Sequence, residues 1–227
     1  MQLPLEVPVM TLPSATLFPQ ALLPLYIFEP RYRKMLADTL KSHRMFSVAM
    51  QKPGRTRESP CPVAGLGLIR VSVDHSDGTS HLILQGLTRI ELGETVRYKP
   101  YRVHSIRPIQ AKPKDSVMID ALLAKVHELV EHRIKLGPSP TFPPWKATPE
   151  TKEAGDKTQP AVTVPEIMEY LQNLPDADTV ADLVSCALLG SAEDRQTILE
   201  TIEVEARLKH LIRFLMSEIR RAKKRKT

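Results

Sequence analysis

The chain has 227 residues, 42% hydrophobic and 26% charged, a length and balance suited to a globular protein with a real core. It contains no run of ~18 apolar residues of the kind that spans a membrane. Its start, Met1-Gln2-Leu3-Pro4-Leu5-Glu6, lacks the basic-then-apolar order of a secretory signal. The net charge of +6 has a local origin. Residues 220–227 hold six basic and no acidic residues, and the rest of the chain carries 26 of each sign. The positive balance therefore describes a tail and not a face of the fold. Cys61 and Cys186 lie far apart and form no CxxC pair, the pattern of unpaired thiols in a reducing compartment, so a cytoplasmic location is expected.

Taken in order, residues 1–110 read as β-rich with one helix. Val7 to Met10 and Leu22 to Ile27 are strand candidates whose prolines suit edges. Pro30 opens a helix through about Ser42, with Tyr32, Met35, Leu36 and Leu40 at helical spacing. Phe46 to Met50 is a short strand, and Lys52 to Pro62 a loop. Ile69, Val71 and Val73 alternate with Arg70 and Ser72, as in a strand buried on one side. Asp77-Gly78 is a turn signal, and Leu82, Leu84 and Gly86 alternate on the returning strand. Gly86 and Gly93 mark bulges or bends around short strands at Arg89 to Glu91 and Val96 to Tyr98, and a last strand runs from Tyr101 to about Ile109. Many short strands bent by Gly and Pro predict a small, partly closed barrel.

The second half reads as helical. Asp115 is a cap for a helix over 111–136 with an apolar stripe from Ile119 to Ile134. Residues 137–162 are Pro-rich and polar and predict a flexible insert. Thr163-x-x-Glu166 has capping-box form, Asp176 caps the next helix, Ser191 opens another, and Glu203 to about Ala222 makes the longest. There Leu208, Leu211, Ile212, Leu215 and Ile219 form a stripe opposite Arg207, Lys209 and Arg213. The expected organisation is a barrel at 1–110, a helix at 111–136, the insert at 137–162, a helical bundle at 163–222 and a basic tail at 223–227.

Catalytic signatures are missing. None of the nine glycines precedes Lys, so no phosphate-binding loop is present, and no G-x-S-x-G elbow occurs. In His127-Glu128-Leu129-Val130-Glu131-His132 the histidines are five apart, about 140° from each other around a helix, and read as a solvated face. His75 with Asp74 and Asp77 flanks a hairpin turn, and turn chemistry accounts for the aspartates. No metal or cofactor is expected.

Leu12-Pro13-Ser14-Ala15-Thr16-Leu17-Phe18-Pro19, running on through Leu23-Pro24-Leu25-Tyr26-Ile27-Phe28-Glu29-Pro30-Arg31-Tyr32-Arg33, resembles one end of the N-terminal, substrate-recognition domain of Lon, the ATP-dependent protease. Val180-Ala181-Asp182-Leu183-Val184 with Thr201-Ile202-Glu203-Val204-Glu205-Ala206-Arg207-Leu208 resembles the other. Gly86-Leu87-x-Arg89 followed by Tyr101-x-Val103 is similar to the middle block. The resemblance covers most of 3–110 and 163–216 in the family's order. It implies an α+β fold, a PUA-like β-barrel followed by a helical bundle, in a domain that recognises unfolded or tagged polypeptides without chemistry of its own. Two departures stand out: the Pro-rich insert, and a basic tail where Lon continues toward its ATPase. The expectation is a recognition module standing alone, without ATPase or protease, whose partners are unfolded or tagged polypeptides and, as a further candidate, a separate protease. Cereblon-type relatives use a tryptophan cage, whereas the only Trp here is Trp145, in the insert.

Leu12, Leu17, Phe18, Phe28 and Tyr32 are the candidate polypeptide contacts. They either form an apolar groove or wedge the barrel against its own helix. The alternative function is RNA binding through Arg220, Arg221, Lys223, Lys224, Arg225 and Lys226, against which stands a solubilising helix end whose dipole favours cations.

Overall fold

The computed structural model describes residues 2–109, 116–136 and 163–224. In chain order the elements are β1 (Glu6–Leu12), β2 (Leu22–Ile27), α1 (Pro30–Leu40), β3 (Met45–Met50), β4 (Val63–Asp74), β5 (Ser80–Arg97), β6 (Arg102–Ile109), α2 (Val117–Leu136), α3 (Val164–Gln172), α4 (Ala177–Leu188), α5 (Ala192–Glu200) and α6 (Val204–Lys224). They form two compact units. One holds residues 1–113 with 190–203, the other 114–189 with 204–227. Asp115, the insert at 137–162 with Trp145, and Arg225 and Lys226 lie outside the described residues.

In the first unit the strands run β2-β5-β4-β3-β1-β6, and β6 also pairs with the far half of β5. That return closes a ring of β1, β3, β4, β5 and β6, while β2 stays outside it on the near half of β5. Only the β1–β3 pair is parallel among these pairings. The α+β barrel expected from the sequence is therefore present.

Two details differ from the sequence reading. The strands expected to break at Gly86 and Gly93 are one strand, β5, of 18 residues. Its register slips instead: Leu66 faces Thr88 but Gly67 faces Gly86, and Leu92 faces Ile106 but Thr95 faces His104. Bulges let one long strand bend far enough to serve both sides of the ring. β4 also begins at Val63, ahead of the alternation read from Ile69. Glycine disguises this start, yet the fold needs glycine there. A Cβ on Gly65 would sit 2.0 Å from Leu17 O, and one on Gly86 would sit 1.9 Å from Phe18 O. The backbone of the Leu12–Pro19 stretch thus lies directly on the two strands.

Strand alternation sorts the core into two clusters on opposite faces of β1 and β3. Met10, Phe46 and Val48 join Leu17, Ile27, Ile69, Leu82, Leu84 and the α1 residues Tyr32, Met35 and Leu36. Val7, Val9, Met45 and Ala49 join Ala64, Leu66 and Ile90. With both faces covered, all six residues of β3 are buried.

Helix α5, expected in the bundle, belongs to the barrel unit. The Gln196 side-chain amide donates to Val63 O at 2.9 Å, and the buried Arg89 donates through Nε to Leu199 O at 3.1 Å.

The second unit packs α2, α3, α4 and α6 through the stripes read from sequence, including Val126, Leu129, Val130 and Ile134 of α2 and Leu208, Leu211, Leu215 and Ile219 of α6. The caps also match. Thr163 N–H donates to Glu166 Oε2 at 2.8 Å, and Thr179 N–H donates to Asp176 Oδ1 at 2.7 Å. In the other unit, Asp194 N–H donates to Ser191 Oγ at 3.1 Å. Arg207 is the correction. Read as part of a polar face, it is 1% exposed, with Nη1 donating to Asp178 at 2.6 Å and to the buried Asp182 at 3.5 Å. A buried guanidinium requires such partners, and Asp182 and Arg207 both fall within the motifs that resemble Lon.

Candidate functional site

The apolar surface that stands out lies where β2, β5 and β4 extend as a three-stranded flap. On the face opposite Leu82 and Leu84, the register forms two rows across the strands: Pro24–Ile83–Val71 and Tyr26–His81–Val73. Tyr26 is 49% exposed and Val73 53%, and Val71 and Ile83 are exposed as well. Phe28, 58% exposed, continues the second row beyond β2. Its ring stacks on Tyr26 at 5.8 Å, and Tyr26 stacks on His81 at 4.7 Å. His81 in turn meets His75 through a ring hydrogen bond of 2.7 Å between Nδ1 and Nε2. A shallow groove of about 390 Å³ runs over Pro24, Leu25, Tyr26, Val71, Val73, His81, Leu82 and Ile83. Clustered apolar exposure of this kind is a recognition feature, unlike lone exposed residues such as Leu5 and Val117.

One residue brings β4 into this face. Sequence alternation predicts Ile69, Val71 and Val73 on a common buried side. The pairing instead steps from Ile69↔Leu84 to Val71↔Ile83, leaving Arg70 as an extra residue. This bulge inverts the parity. Ile69 stays in the core while Val71 and Val73 turn outward.

The sequence-predicted contacts divide accordingly. Phe28 is on this face. Leu17, Phe18 and Tyr32 are corrected as contacts: all are buried, because the Leu12–Pro19 stretch and α1 wedge into the barrel. Tyr32 Oη donates to Thr11 O and accepts from Thr11 N–H, each at 3.2 Å, and the Arg31 guanidinium lies 4.4 Å over its ring. Leu12 is half-buried and packs on the same core. Pro24, Tyr26, Val71, Val73, His81 and Ile83 were missed. For Pro24 and Tyr26 the signal was present as an uncharged edge strand; for Val71 and Val73 it required the bulge.

Arg220, Arg221, Lys223 and Lys224 end α6 on an exposed surface, and Arg221 donates to Glu218 at 3.0 Å. A second hollow, of about 290 Å³, is polar and includes Lys52, Glu58, Arg102, Thr95 and His104. Its groups are engaged with one another: Arg102 donates to Glu58 O at 2.9 Å, and His104 bonds Gly93 O at 3.1 Å. Among the described residues no cluster of three or more His, Cys, Asp or Glu could hold a metal, and no helix is long and apolar enough to cross a membrane. Asp77 Oδ1 accepts from Thr79 N–H at 2.9 Å, the turn role expected of it.

Residues 6–217 match the model of the ATP-dependent protease La (LON) substrate-binding domain, and the chain belongs to that family. It is 25% identical over 223 residues to the Lon protease of Desulfosudis oleivorans, covering 96% of this chain and 24% of that protein. It is 26% identical over 219 residues to Lon protease 2 of Herpetosiphon aurantiacus, covering 95% and 24%. The chain therefore spans about a quarter of the length of these relatives. In fold it is similar to the N-terminal domain of the Mycobacterium avium complex Lon protease, with a TM-score of 0.68 at 17% identity, covering 93% of this chain and 98% of that one. The Lon N-terminal domain protein from Xanthomonas campestris gives a TM-score of 0.58 at 18% identity, covering 92% and 98%.

Proposed function

We propose that this chain is a non-catalytic polypeptide-binding module that recognises unfolded or tagged protein, acting as an adaptor in protein quality control alongside a protease. The observation that carries this reading is the pair of apolar rows across β2, β5 and β4, extended by Phe28 and exposed among the described residues. Membership of a substrate-binding family whose relatives are proteases supports it. Unfolded chains expose the aromatic and aliphatic side chains that such a face can shield from water. The test is capture of a reduced, carboxymethylated protein held unfolded. Tyr26→Ser with Phe28→Ser is expected to weaken capture about tenfold or more, as for anchor aromatics at an interface. Both side chains are about half exposed, so the variant is expected to keep its fold. Val117→Ser, an exposed apolar position in the other unit, serves as the control. Equal capture by wild type and the double variant rejects this surface.

A second reading, RNA binding, rests on the exposed cations ending α6. It predicts affinity for single-stranded RNA that falls steeply with salt and disappears when residues 220–227 are removed. Absence of binding at low salt rejects it.

A further inference from the structure

The flap's outer strand has an unusual combination of properties. Ala21 to Phe28 runs Ala-Leu-Leu-Pro-Leu-Tyr-Ile-Phe, eight residues without a charge. Natural edge strands are guarded by lysines, inward charges or covering loops. Among the described residues β2 pairs with β5 on one side and with no strand on the other. Leu22, Leu23 and Leu25 are only half-buried, so the edge is apolar on both of its faces.

The backbone on the open side is ordered for pairing. Ala21 O accepts from Gly86 N–H at 2.8 Å, one step before the Leu22–Gln85 pair. In an antiparallel ladder successive residues direct their polar groups alternately to one neighbour and then away. Leu23, Leu25 and Ile27 therefore face β5. The N–H and C=O of Leu22 and Tyr26, and the C=O of Pro24, point to the open side. Pro24 sits where a missing N–H costs the sheet nothing. The edge offers three acceptors spaced two residues apart and two donors.

We infer that the polypeptide is taken up as an added strand on β2: an extended, uncharged, apolar segment whose main chain pairs with Leu22, Pro24 and Tyr26. This rests on the polypeptide-binding reading above and adds its mode. Side chains on one face of the added strand extend the rows begun by Pro24 and Tyr26, and those on the other cover Leu23 and Leu25. The absence of charge on β2 matches an uncharged occupant. Because main-chain groups carry the pairing, recognition reads extended backbone and apolarity more than a particular sequence.

The test uses the full chain and a labelled, end-blocked peptide of about eight residues rich in Leu, Val and Ser, with single backbone N-methyl groups placed along it. N-methylation removes one donor and leaves the side chain intact. Strand addition predicts a period of two. Methyl groups on residues whose N–H meets Leu22, Pro24 or Tyr26 weaken binding about tenfold or more, and those on the intervening residues change it less than about twofold. Uniform tolerance, or uniform loss at every position, overturns strand addition and leaves side-chain docking on the face. A parent peptide that does not bind at all rejects the polypeptide-binding reading itself, and this mode with it.

Discussion

Replacing Arg207 with alanine is expected to destabilise the chain by about 3–5 kcal/mol, seen as a lower urea midpoint followed by far-ultraviolet circular dichroism. Arg207 is buried beside Asp178 and Asp182. Removing it takes the guanidinium away from the Asp182 carboxylate, which is 3% exposed in an apolar bundle. The partners should not respond alike. The Asp178 side chain is 33% exposed, and its replacement by alanine leaves Arg207 with Asp182, so a loss of about 1 kcal/mol is expected. Converting the pair together, Arg207→Met with Asp182→Leu, should recover most of the loss, because the desolvation cost disappears along with the attraction. Arg207→Ala with an unchanged midpoint would remove the ion pair from the list of what holds the helices.

Gly86→Ala and Gly65→Ala are each expected to cost about 3 kcal/mol or more, with broadened or lost near-ultraviolet signals from the barrel. Each new methyl would meet a carbonyl oxygen of the Leu17–Phe18 backbone at about 2 Å, and backbone cannot rotate aside as a side chain can. Gln20 N–H also donates to Gly86 O at 2.9 Å, and Gly86 N–H to Ala21 O at 2.8 Å, so the chain leaving the crossing is held to β5 by both backbone groups of Gly86. Gly54→Ala is the informative comparison. Gly54 has nothing within 4 Å but a φ of +71°, so it should lose only about 1 kcal/mol, the left-handed penalty without a clash. Equal losses at Gly54 and Gly86 would show that close approach is not the determinant.

These positions also mark what the sequence made legible. Local chemistry was readable: the Thr163–Glu166 box, the Asp176 and Ser191 caps and the Asp77-Gly78 turn depend on residues within four positions. Features settled by distant partners were not. Arg207 reads as surface until Asp178 and Asp182, from another helix, are placed beside it. Leu17 and Phe18 read equally as groove contacts or as wedges until Gly65 and Gly86 open a seat for their backbone. The outward turn of Val71 and Val73 depends on how β4 registers on β5, and alternation alone gives the opposite face. Of the proposed contacts, Phe28 has the exposure the role needs, because it lies past the end of an edge strand that nothing described covers. The fold class was legible because hydrophobic period and turn residues are short-range properties. The β4 side of the face was not, because a single bulge decides it.

The placement of α5 has a consequence in time. The last barrel strand ends at Ile109, but Gln196 and Leu199, which meet Val63 and Arg89, are specified much later. At a synthesis rate of about 5–20 residues per second, the 86 residues between Ile109 and Gln196 take about 4 to 17 s to emerge. Throughout that interval a nascent sheet has Arg89 without Leu199 O, Val63 O without its amide, and no Ile198 or Leu199 to bury. Most of the intervening stretch belongs to the other unit. The chain thus passes through its own biogenesis as a sheet still lacking its α5 cover, in need of the same shielding from water that we propose it extends to others.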